Sequence, residues 1–382
     1  MGIVFKWKLS ENEYIYTYRG KAGLLMIKRM QISAAALLLS LILMVTACSG
    51  GNGGNEAPQE TGETIEPTSQ AEPTAEPTPL PYTAPLTGLK LEKAATARPI
   101  VVMINNFAAA RPQSGLTNAD VIWEVLAEGG ITRLVAVFQS TDALEESIGP
   151  IRSIRPYLID IGDSYGAVLA HAGASNDGYD ILQHQGKPYL DEISNAGSYF
   201  WRSKERKAPH NLYSSLEKLR TGAEKKKYSL DKQVPPYTFA EAGSTETGVP
   251  ATDITISFLL KNYSVGYVYD AVTGLYKRSI GDKPHIDLNN NEQLSGTNLV
   301  VLGADHTTMD KEGRLSVDLN EGGSAILFQK GTAIEAEWVR APDGMIRIVK
   351  NGAELPFVPG KTFFHIVPNS PTFEEHVTWV QS

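Results

Sequence analysis

The chain has 382 residues, enough for about two or three ordinary domains, and its 42% hydrophobic content can build packed cores. A formal net charge of −8 speaks against nucleic acid as an electrostatic partner. The single Cys excludes an internal disulfide and any Cys-based zinc or iron–sulfur centre.

Lys28 and Arg29 precede an uncharged apolar run from Met30 to Ala47. That is the n-region and h-region of a secretory signal. Its 18 residues fall short of the ~20 that a spanning helix needs. The run closes on Val45-Thr46-Ala47-Cys48, which resembles the lipobox of bacterial lipoproteins. This pattern implies a thioether-linked diacylglyceryl group on Cys48 and cleavage between Ala47 and Cys48. Two acyl chains then hold the protein stably on a membrane, at ~0.8 kcal/mol per buried CH₂. The competing reading is an uncleaved anchor helix with an incidental Cys. Residues 1–47 are therefore expected to be signal peptide, with Met26 a fitting start. Residues 48–81 carry Glu56, Glu60, Glu63, Glu66, Glu72 and Glu76 with no Lys or Arg from 49 onward, and repeat Glu-Pro-Thr. Such a segment buries little apolar surface and reads as a disordered, partly polyproline tether.

Folding is expected from Tyr82. Ile100–Asn105, Val121–Leu126, Leu134–Phe138 and Ala167–His171 have the length and β-branching of buried strands. Helices are expected near Arg155–Ser164, Asp180–Gln185 and Ser214–Lys226. Polar and turn residues dominate from Thr221 to Gly248, which places a boundary near 235. Beyond it, eight strand candidates lie at turn-like spacing: Ile254–Phe258, Val265–Tyr269, Leu275–Ser279, Asn298–Leu302, Arg314–Asp318, Ala325–Gln329, Ala333–Val339 and Met345–Val349. Gly331, Asp343-Gly344 and Asn351-Gly352 supply the turns of a β-meander. The expected fold class is α+β: a mixed α/β domain over 82–235, then a mainly β domain over 236–382.

Several blocks occur together in a recognisable order. They are Arg98-Pro99 with Val102-Met103-Ile104-Asn105-Asn106, Ala110-Arg111-Pro112-Gln113-Ser114-Gly115-Leu116, Glu128-Gly129-Gly130-Ile131-Thr132-Arg133, Gly149-Pro150-Ile151-Arg152-Ser153-Ile154-Arg155-Pro156 and Ala208-Pro209-His210-Asn211. Across roughly 85–370 the chain resembles the DUF3048 family, the YerB-like lipoproteins of Gram-positive bacteria. The resemblance implies a two-domain surface lipoprotein and brings no biochemical activity with it.

Chemistry must then be read from residues. Arg111, Arg133, Arg152 and Arg155 sit at turns between apolar strands, where guanidinium groups can cradle phosphate or carboxylate. The bland reading is structural pairing with Glu124, Glu128, Asp160 and Asp163. His171 ends a strand and, with Glu124, Glu128 or Asp177, has the makings of a general base, with Ser153 or Ser175 as nucleophile. His210 is a second candidate. No Gly-x-Ser-x-Gly elbow supports this. His285-Ile286-Asp287 and Asp305-His306 with Asp310 are weak metal signals, and neither a metal nor a cofactor is expected. The crowded aromatics of 157–213 suit core packing, with glycan stacking as the alternative. The leading expectation is a lipid-anchored extracytoplasmic protein that binds an anionic or glycan component of the cell envelope, such as a wall polymer. The alternatives are a wall hydrolase or transferase using His171 or His210, and a non-catalytic adaptor for an envelope protein.

Overall fold

The computed structural model describes residues 4–9, 12–17, 80–141 and 144–380. Residues 1–75 and 76–382 form two separate units. In the first, Val4–Leu9 and Asn12–Thr17 pair as an antiparallel hairpin. The apolar run from Met30, Cys48 and the tether as far as Pro79 lie outside the described residues.

The second unit is α+β. Its strands are β1 (Ile100–Asn105), β2 (Val121–Leu126), β3 (Thr132–Phe138), β4 (Val168–His171) and β5 (Tyr189–Asp191), then β6 (Asp253–Ser257), β7 (Ser264–Asp270), β8 (Leu275–Ile280) and β9 (Asn298–Ala304). They continue with β10 (Gly323–Gln329), β11 (Thr332–Arg340), β12 (Ile346–Lys350), β13 (Ala353–Glu354), β14 (Thr362–Pro368) and β15 (Val377–Val380). Three α-helices are α1 (Pro156–Ser164), α2 (Asn176–His184) and α3 (Leu216–Lys225).

One twelve-stranded sheet runs in the order β13-β12-β11-β10-β9-β14-β2-β3-β1-β4-β5, with Val249–Pro250 added on β11. Here the architecture differs from a simple succession of halves. β14 lies in the middle of the sheet, parallel to β9 on one side and to β2 on the other. The strands before and after residue 235 therefore share one hydrogen-bonded layer. A smaller sheet holds β8, β7, β6 and β15.

The pleat sorts the side chains. Even-numbered residues of β2 and β3, such as Ile122 and Leu134, face the core shared with α3 and the smaller sheet. Odd-numbered ones, such as Trp123 and Val135, face the core shared with α1. Every residue of β1, β2, β3 and β14 is buried. That double coverage is what their near-continuous apolar sequences dictate. Trp123 stacks on Phe364 with ring centroids 4.1 Å apart, joining β2 to β14.

Helix starts follow local chemistry. Pro156 opens α1. Ser175 Oγ accepts from Gly178 N (3.2 Å) and Ser215 Oγ from Lys218 N (3.3 Å), capping α2 and α3. The Ser175 cap starts α2 four residues earlier than its apolar periodicity suggests.

Candidate functional site

β1, β2, β4, β5, β9 and β14 all run in one direction, with β3 and β10 opposed. Their carboxyl ends form one edge. β1 and β4 pair through Val102 and Ala170, then part. Residues 150–154 run between them: Arg152 N donates to Met103 O (2.8 Å), Ala172 N to Arg152 O (3.1 Å), and Ile154 bridges Ala174. Arg152 is thereby held at the edge. Arg133, second residue of β3, pairs with Asn105 at the end of β1. Arg155 is the residue before α1, and its Nε donates to the Glu128 carboxylate. In open sheets this splayed carboxyl edge is where ligands commonly sit.

Of the predicted anion-binding residues, the structure brings Arg133, Arg152 and Arg155 together here. Glu128 is the carboxylate among them. Arg133 is 3% exposed, and its Nε and Nη1 are sealed from solvent with no hydrogen-bond partner. Burial pushes its pKa down to about 10; Arg155 and Arg152 press the same way, and Glu128 opposes them. Arg152 is lowered as well, by burial and then by Arg155. Its guanidinium has no hydrogen bond or ion pair among the described residues. Three guanidinium groups thus face one carboxylate. His210 joins the rim: its Nδ1 receives Asn105 Nδ2 (2.8 Å), and burial, Arg152 and Arg206 lower its pKa.

Arg111 and Glu124 lie elsewhere, on the opposite face of the sheet. Glu124 is an even-numbered residue of β2 and is wholly buried. Its Oε2 accepts from Arg278 Nη2 at 2.6 Å. Its Oε1 accepts from Thr132 Oγ1 (2.7 Å), Asn106 Nδ2 (3.1 Å) and the Tyr263 hydroxyl. Arg278 Nε donates to His285 Nδ1 (2.9 Å), His285 Nε2 meets Gln113 Oε1 (2.6 Å), and Gln113 Nε2 returns to Asn106 Oδ1 (2.9 Å). His365 places Nδ1 3.3 Å from Glu124 and Nε2 3.0 Å from the Tyr267 hydroxyl. The ring Glu124–Arg278–His285–Gln113–Asn106 is closed, and His365 Nδ1 lies against it without hydrogen-bond geometry. Burial alone would raise the Glu124 pKa, but Arg278, with His365 and Tyr263, holds it well below the ordinary carboxylate range. Glu124 is consequently a fixed counter-ion, not a proton acceptor for His171. Arg111 lies with its guanidinium carbon 5.4 Å from the Tyr263 ring centroid and is likewise not part of the edge cluster.

His171 also finds a different partner from the three expected. It is fully buried, with Nδ1 3.0 Å from Gly173 O and 3.6 Å from Asp191 Oδ1. Asp191 is already occupied by Gly173 N (2.7 Å), Tyr179 OH (2.9 Å) and the loop amides of Ile193 and Ser194. Burial lowers the His171 pKa to about 4. Ser175 is committed to its helix cap. The weak metal signals resolve into structural bonds. His285 belongs to the buried circuit, Asp287 accepts from the amides of Gly115 (3.0 Å) and Thr117 (2.9 Å), and Asp310 pairs with Arg314.

Cavities among the described residues include two to be weighed against the site. One of about 770 Å³, lined by Tyr82, Val234, Tyr237 and Phe239, holds none of the expected site residues. A polar groove of about 530 Å³ opens beside Arg155, between the starts of α1 and α2 and residues 309–320. The residues that sequence reasoning passed over are Asn105, which orients His210, and Arg278, Tyr263 and His365, which hold Glu124. They are 100–240 positions or more from the groups they serve, so no local pattern reveals them.

Comparisons with known proteins agree with this architecture. Residues 86–229 match the DUF3048 N-terminal domain and 254–364 the DUF3048 C-terminal domain, each described as a protein of unknown function. A relative named "Putative lipoprotein YerB", from Bacillus subtilis (strain 168), is 38% identical over 292 residues, covering 75% of this chain and 86% of its own. The crystal structure of YerB protein from Bacillus subtilis superposes with a TM-score of 0.71 at 36% identity, covering 78% of this chain and 98% of that one. With both of its domain models matched in order, the chain belongs to the DUF3048 family.

Proposed function

We propose that this is a lipid-anchored extracytoplasmic protein that binds an anionic component of the cell envelope at the carboxyl edge of its large sheet. The observation that carries the reading is Arg133. A buried guanidinium ordinarily has its donors satisfied. This one has two nitrogens without an acceptor, with Arg152 and Arg155 beside it. A phosphate or carboxylate docked at the edge on the partly exposed Arg152 guanidinium supplies a negative charge beside the uncompensated Arg133. The lipid anchor rests on the sequence from Lys28 to Cys48 and on the lipoprotein name of the relative.

The test is titration of inorganic phosphate at low salt into the detergent-solubilised protein and its Arg133→Gln and Arg152→Gln variants. At least tenfold weaker binding in folded variants is expected; unchanged affinity in both removes the reading. For the anchor, mass spectrometry of the mature protein should find Cys48 as the N-terminal residue carrying a diacylglyceryl group; an unmodified Cys48 within a chain that retains residues 30–47 removes it. Within the hydrolase or transferase alternative, the His171 route gains no support, because His171 is sealed and Glu124 is committed to Arg278.

A further inference from the structure

We infer that the anion is carried on a sugar: the ligand is a phosphorylated saccharide whose ring rests on Phe107 while its phosphate engages Arg152, beside the buried charge of Arg133. This rests on the anion-binding reading above and names the class of ligand for the same site. Phe107 lies just beyond β1, after Asn106, and is 41% exposed. Among the described residues only Tyr82 and Phe107 are aromatic side chains left open to this extent, and Tyr82 lines the unrelated larger cavity.

Phe107 is held as a platform. Its ring stacks on His210, with centroids 5.2 Å apart and planes 16° from parallel. Its amide donates to Asn105 Oδ1 (3.1 Å), and the same Asn105 side chain binds His210 through Nδ2 (2.8 Å). Arg206 ties the loop carrying His210 to the segment after Phe107, through Ala109 O (3.2 Å) and Pro112 O (2.5 Å). Asn105 is also the cross-strand partner of Arg133, and Arg152 lies close enough to His210 to be felt by it. Cation, amide, imidazole and phenyl ring therefore form one continuous strip. Paired residues across an antiparallel ladder are only about 5 Å apart. A ligand that used this strip needs an anionic group at one end and a flat, partly apolar face at the other. A sugar phosphate has both, since the C–H face of a pyranose packs on an aromatic ring while its hydroxyls stay in water.

The experiment compares N-acetylglucosamine 1-phosphate, N-acetylglucosamine and inorganic phosphate by calorimetric titration of the detergent-solubilised protein. The sugar phosphate should bind at least tenfold more tightly than phosphate, and Phe107→Ala should erase that advantage while leaving phosphate affinity in place. Phe107→Trp should restore it. Equal affinity for sugar phosphate and phosphate overturns the proposal, as does an advantage that survives Phe107→Ala. Absence of phosphate binding, or binding indifferent to Arg152→Gln, removes the anion site and this proposal together.

Discussion

Glu124 and Arg278 show how strongly a residue's role depends on who surrounds it. Both are fully buried, and each satisfies the other's charge. Removing one partner of such a pair typically costs about 3–5 kcal/mol, because the survivor is left charged in the core. Glu124→Gln should therefore destabilise strongly in urea titrations. Arg278→Met should destabilise as strongly, because it leaves the Glu124 carboxylate without its counter-charge in the core. His171 gives a pH prediction. Its folded pKa of about 4 lies below the ordinary 6.5, so the unfolded state binds more protons between these values. Stability from this residue is whole above pH 6.5 and is lost as pH falls toward 4, by up to about 3 kcal/mol at ~1.4 kcal/mol per unit. His285 and His365 are lowered too and act in the same direction. The diagnostic quantity is then the difference between the native protein and His171→Leu, whose stability should fall less steeply across that window.

At the level of elements, local chemistry decides beginnings and ends. Ser215→Ala should cost about 1 kcal/mol through the lost cap of α3. That helix packs on the face away from Arg133, so phosphate affinity should stay as it was; a thermal melt and a titration on the same variant check both. The turns Lys330-Gly331 and Asn351-Gly352 have positive φ at both residues, and Asp343-Gly344 has it at Gly344. They close the β10–β13 meander as the turn chemistry requires. β14 went unpredicted although Thr362–Val367 is rich in aromatic and β-branched residues. Its central His365 breaks the apolar run, and its hydrogen-bonding partners β2 and β9 lie some 60 to 240 positions earlier in the chain. β14 adds His365 to the Glu124 circuit by setting it opposite Glu124.

For the whole molecule, the central position of β14 makes the two family domains interdependent. Without it, β2 and β9 would each present an unpaired edge in the middle of a layer that is otherwise buried. Residues 82–235 expressed alone should lack a cooperative unfolding transition and show poorly dispersed amide spectra. Addition of 236–382 should restore them. Independent folding of the first half would contradict the shared sheet. The arginine-lined edge, by contrast, draws Arg133, Arg152, Arg155 and His210 entirely from the first half. Its residues should nonetheless lose their arrangement when β14 is gone, because β3 and β1 are ordered through β2.

By itself the sequence determined the α+β class, most strands and helices, the family, and the set of arginines at turns. These follow from periodicity, turn residues and contiguous motifs, all of which are local. Only the tertiary structure decided which of those arginines share a site. The alternation of the pleat sends Arg133 to one face and Glu124 to the other. The splay of β1 from β4 sets Arg152 between them at the edge. The long-range insertion of β14 turns two successive halves into one sheet. Those outcomes depend on pairings between distant segments, and the free energy that selects them is the burial of both faces of the completed layer.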